Sequence, residues 1–211
     1  MRESRLVEHF EDLEKQTHAA RLGMWAFLGS ETLLFAALFG LYTSYRAMYP
    51  EDFTAAAAHN SLWIGTVNTL ILITSSLTVA LSVNAVRASR ARAAGWLILV
   101  SILFGMAFLA LKAVEYRQHI HEGILPGASY AFHELPGAGA NRFFTLYYLL
   151  TGLHALHVIA GMALLGWVAY GCFREKYAAE YHTPVELGGL YWHLVDVIWI
   201  FLWPLLYLTR P

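Results

Sequence analysis

The chain has 211 residues, of which 58% are hydrophobic and 14% charged, with a mean hydropathy of +0.48 and a formal net charge of -1. A composition this apolar excludes an ordinary water-soluble domain, and the near-neutral charge gives no footing for a nucleic-acid partner. The lipid bilayer is the expected solvent.

Taken in chain order, residues 1–21 (MRESRLVEHFEDLEKQTHAAR) are charged and lack the apolar core and small-residue cleavage site of a removable signal, so they are read as a retained N-terminal segment. Five apolar runs then follow, each long enough to span: about 22–45, 62–86, 94–114, 143–170 and 187–208. The expected fold is therefore all-α, a five-transmembrane-helix bundle forming one membrane domain over 22–208, with no internal repeat. The other connections are short or moderate, but residues 116–142 carry two prolines and several glycines and read as an outer loop.

Positive charges set the orientation. With the N-terminus cytoplasmic, nine of the 14 lysines and arginines (Arg2, Arg5, Lys15, Arg21, Arg87, Arg90, Arg92, Arg174 and Lys176) lie inside, against Arg46, Lys112, Arg117, Arg142 and Arg210 outside. The C-terminus is then on the outer side. Tyr42, Tyr45, Tyr49, Tyr147, Tyr148 and Tyr207 would form an outer aromatic belt, and Trp25, Trp96 and Tyr170 an inner one. The lone Cys172 can make no internal disulfide and reads as a small packing residue.

Within the first run, LGSETLLF places a carboxylate, Glu31, roughly 14 Å into a hydrocarbon layer about 30 Å thick. Desolvation there disfavours its charged form, so it needs a partner. Candidates at similar depth are His154 and His157 in TGLHALHVIAG, and His193 and Asp196 in YWHLVDVIW; each pair is three residues apart, on one helical face. Gly161 continues the histidine stripe at a spacing that allows close helix approach. Trp192, Trp199 and Trp203 surround Asp196 with indoles able to donate hydrogen bonds. Asn68, Ser75, Thr78 and Ser82 line one face of the second run as a packing seam. Lys112 and Glu115 read as a local ion pair with the lysine snorkelling outward, and His119 and His121 as solvated loop residues.

These residues leave three classes open. A haem-binding electron-transfer subunit would oppose His154 or His157 to His193 as axial ligands. A proton-coupled transporter would use Glu31 with the histidines, but would be expected to show repeats or broken helices. A non-redox accessory subunit needs neither.

The segments RLGMWAFLGSETLLFAALFGLY, NTLILITSSLTVALS, LKAVEY, TGLHALHVIAG and ELGGLYWHLVDVIWIFLWPLLYL resemble, in order, the signatures of subunit III of the haem-copper oxidases, over nearly all of residues 21–208. The resemblance implies an accessory subunit of a terminal oxidase that reduces oxygen to water and pumps protons in a bacterial plasma membrane. Its partners would be oxidase subunits I and II, which bind the haems and copper, so no redox centre or metal is expected here. It would stabilise subunit I, support proton uptake and bind phospholipid. Glu31 matches the family's carbodiimide-reactive membrane glutamate and His157 the second histidine of its TGxHxxHV motif. Glu186, His193 and Asp196 match the acid, histidine and aspartate of its last helix, and Arg174 lies near a phosphate-binding arginine. The chain resembles the short five-helix form rather than the seven-helix one. A related branch serves nitric oxide reductases, which is the alternative within the family.

Overall fold

A computed structural model describes residues 12–209; Arg2 and Arg5 of the orientation count, the rest of 1–11, and Arg210 lie outside the described residues. Among the described residues there are six α-helices: α1 (Leu13–Met48), α2 (Pro50–His59), α3 (Leu62–Arg87), α4 (Ala91–His121), α5 (Ala138–Phe173) and α6 (Thr183–Tyr207). All but α2 are long and apolar enough to cross a membrane.

α1 begins inside the segment read as an N-terminal tail, because the Asp12 carboxylate accepts from the Lys15 amide at 2.7 Å and caps the first turn. With 36 residues it is about 54 Å long, well beyond the roughly 30 Å hydrocarbon layer. Pro50 opens α2, a helix that apolar-run counting missed because ten residues are too few to span. Its buried Phe53 meets Tyr42 and Phe143 edge-on. The Asp52 carboxylate accepts from the Gly139 amide at 3.0 Å, placing an anion at the amino end of α5. α4 runs seven residues past Val114 into the segment read as loop, and the remaining connection contains a short 3-10 turn at Gly127–Ser129.

α6 is the central helix: half of its spanning window is buried within the chain, against 11% for α1. Gly161 lets α5 and α6 approach, since a Cβ there would stand 2.9 Å from the Trp192 ring. The α3 stripe packs as read, with Asn68, Ser75 and Ser82 buried and the Thr78 hydroxyl 2.6 Å from that of Ser101 on α4. Contacts such as Arg87 with Glu186, Ser76 with His193 and Thr69 with Trp199 step in opposite senses, so α3 and α6 are antiparallel. Thr17 meets Thr183 and Arg21 meets Glu186, so α1 and α6 start at the same end.

Candidate functional site

Glu31 has its partner on α5: its Oε2 lies 2.9 Å from His157 Nε2, with the two side chains 18% and 13% exposed. The other ring nitrogen, Nδ1, is 2.8 Å from the Leu153 carbonyl oxygen one turn back, which can only accept. Nδ1 therefore carries a hydrogen and donates it. In a neutral imidazole this leaves a lone pair on Nε2 facing the carboxyl oxygen, and two lone pairs at 2.9 Å repel. A proton must sit between them, as carboxylic acid with imidazole or as carboxylate with imidazolium. The pair is thus a one-proton, net-neutral unit, with the Phe35 ring edge-on to the imidazole.

The structure separates the histidines that the sequence put on one face, because three residues along a helix still leave about 60° between them. His154 turns into the core, fully buried between the rings of Phe108 and Trp199. His193 faces α3, its Nδ1 2.7 Å from the Ser76 hydroxyl and 3.9 Å from Asp196 Oδ2. His157 and His193 thus point to different helices and are not opposed as axial ligands would be. The indole expectation is corrected too: Trp192 donates to Ser75 and Trp199 to Thr69, each at 3.0 Å, while the Trp203 Nε1 has no hydrogen-bond partner among the described residues, so none of the three reaches Asp196. Indoles on one face of α6 find the hydroxyls of α3 because that helix is the one packed against them.

Glu186 anchors the amino-terminal end of the bundle. It accepts from Arg21 at 2.7 Å and from Arg87 at 2.6 Å, with His182 Nε2 at 2.9 Å, tying α1 and α3 to the start of α6. Arg174 is exposed; its Nε donates to the Tyr170 hydroxyl at 3.1 Å and its guanidinium lies over that ring.

The largest departure is at the far end. Lys112 does not snorkel: its ammonium is buried and donates to Glu115 at 2.6 Å, to Tyr147 at 2.8 Å and to Tyr207 at 2.9 Å. Because α4 continues nine residues beyond it, about 13 Å, the ammonium has no route to water. Tyr42, Tyr147 and Tyr207, read as belt residues, are fully buried; Tyr207 also donates to Glu115 and Tyr42 to the Leu205 carbonyl. His119 is likewise buried, against Phe144 and Tyr147, rather than solvated. Trp25, Trp96 and Tyr170 are exposed at the bundle surface, and Cys172 is buried. Sequence reading missed Tyr147 and Tyr207 because a tyrosine near a span's end looks the same whether it faces lipid or a neighbouring helix. The signal that could have found them is Lys112 itself, a charge inside a run that α4 extends. Among the described residues, no group of three or more His, Cys, Asp or Glu is gathered for a metal ion.

The chain matches the family model described as cytochrome c oxidase subunit III over residues 3–210. It is 35% identical over 191 residues to the protein named cytochrome c oxidase subunit 3 of Thermostichus vulcanus, covering 90% of this chain and 87% of the relative. The same-named protein of Alkalihalophilus pseudofirmus is 31% identical, covering 89% of this chain and 85% of the relative. A Pseudomonas putida protein named cytochrome bo(3) ubiquinol oxidase subunit 3 is 29% identical, with 89% and 84% covered. A match along nearly the whole length, carried by a five-span bundle, is decisive: the chain belongs to the cytochrome c oxidase subunit III family, the accessory subunits of haem-copper oxidases.

Proposed function

We propose that this chain stabilises the catalytic subunit of a proton-pumping terminal oxidase through many turnovers and supports its proton uptake, with the haems and copper held by subunits I and II and the N-terminus on the cytoplasmic side. The observation that carries this reading is the one-proton pair of Glu31 and His157. It sits at the lightly packed boundary between α1 and the rest of the bundle, where a shared proton can shift between acid and base without creating net charge in the membrane. A group of that kind can hold or pass a proton and can brace a helix; it offers no site for electron transfer.

The test is oxygen consumption followed over many turnovers, in the complex purified through a tag on this chain. Glu31→Gln retains an amide N–H that can donate to His157 Nε2, so initial activity should stay near that of the parent. Glu31→Ala should assemble and begin normally, then inactivate faster. A Gln variant with full haem content and no initial activity would overturn the supporting role and make Glu31 an obligatory proton carrier.

A further inference from the structure

A second acid and histidine lie inside the same bundle in a different setting. At the amino-terminal end, α1, α3 and α6 enclose a cleft of about 390 Å³ lined by Arg21, Asn84, Arg87, Glu186 and His193 among others. His193 also lines the mostly apolar groove that continues between α1 and α6, together with Trp25, Leu33 and Val197. His193 and Leu190 line both, and of the two only His193 carries a titratable group where the polar cleft meets the apolar groove. Its side chain is 38% exposed, whereas Asp196, one turn further into the membrane on α6, is 5% exposed. Neither Asp196 oxygen has a hydrogen-bond partner among the described residues. An unpartnered carboxylate at that depth is costly, so the neutral acid is the form the site favours.

We propose that His193 and Asp196 form a proton-holding site fed from this cleft, with His193 as the relay. The Ser76 hydroxyl, 2.7 Å from Nδ1, fixes the ring, and a small swing closes the 3.9 Å to Asp196 Oδ2. In the transfer a hydronium ion reaching the cleft gives a proton to Nε2 and leaves as water, the Nδ1–H bond breaks, and an O–H bond forms on the Asp196 carboxylate. The imidazole ends in its other tautomer and resets by ring rotation, and the site has gained one proton. The charges around the entrance come from every helix that forms it: Arg21 on α1, Arg87 on α3, and Glu186 with His182 at the start of α6. Their ion pairs hold the three helices together at the mouth. This site goes beyond the supporting role proposed above and does not depend on it, since every group belongs to this chain.

The experiment uses infrared difference spectroscopy on the complex purified through this chain. The protonated Asp196 carbonyl band is identified as the one lost in Asp196→Asn, and its downshift is timed after transfer from H2O to D2O. The band is expected at neutral pH, and both His193→Phe and His193→Gln should slow its exchange by about tenfold or more. The Gln variant keeps a hydrogen-bonding side chain beside Ser76 but cannot relay, which separates loss of the relay from loss of packing. Absence of the band at neutral pH, or exchange at the parental rate or faster in both His193 variants, would overturn the proposal.

Discussion

Lys112 with Glu115 and Glu31 with His157 are both acid–base couples inside a membrane bundle, and they are built in opposite ways. The first is sealed: the ammonium meets one carboxylate and two tyrosine hydroxyls drawn from α5 and α6, and the rings of Tyr116, Tyr147, Trp199 and Tyr207 stand 4.6 to 5.6 Å from it. The second joins only α1 to α5, by one hydrogen bond with a proton to share. Full charges become tolerable in a low-dielectric interior only when several fixed partners surround them. A neutral couple sharing one proton needs far less support, which frees it to sit at a looser boundary. Sealing makes a structural knot, and sparse partnering makes a group that can change state.

The comparison breaks most visibly if one member of the knot is removed. Lys112→Met leaves the Glu115 charge buried without its cation, and the loss should be about 3–5 kcal/mol, read as a lower melting temperature of the complex in detergent. Removing both charges in a Lys112→Met, Glu115→Leu double variant should cost less than the sum of the singles. Additive losses would show that the two charges act independently.

A smaller loss is expected from Tyr207→Phe, which keeps the ring but deletes a hydroxyl that accepts from Lys112 and donates to Glu115. Hydrogen bonds to charged groups put this at about 1.5–3 kcal/mol. A change below that range would mean the knot rests on the direct ion pair alone. At the sparse couple, Glu31→Gln should shift stability by about 1 kcal/mol or less, because a neutral pair is replaced by a neutral pair. A melting shift as large as that of Lys112→Met would erase the distinction. The smallest effect is expected for Thr69→Val, which keeps the side chain's volume but removes the hydroxyl that accepts from the Trp199 indole; hydrogen bonds between uncharged groups in membrane bundles average about 0.6 kcal/mol.

Much of the membrane architecture was legible in the residues. Long apolar runs gave five spans, and Glu31 stood out because nothing near it in sequence compensates a carboxylate at that depth. The stripe of Asn68, Ser75 and Ser82 was readable as a seam, since small polar residues at helical spacing have one obvious use in lipid. α2 was hidden because it is too short to announce itself by hydropathy. The interior tyrosines were hidden because amphipathic rings suit a membrane interface and a polar core equally well.

By itself the sequence determined the solvent, the number of spans, the presence of buried acids and histidines, and a resemblance to one family. These follow from composition, run length and motif order, which are properties of the chain taken one segment at a time. Which histidine meets Glu31, where the indoles of α6 point, and whether Lys112 reaches water were decided only by the tertiary structure. A helix offers each side chain a direction to within about 60° when residues are three apart, and two or three neighbours lie within that arc. The choice among them depends on the rotation and depth of helices packed from distant parts of the chain. Glu31 and His157 are 126 residues apart, and only the packing of α1 on α5 puts a proton between them.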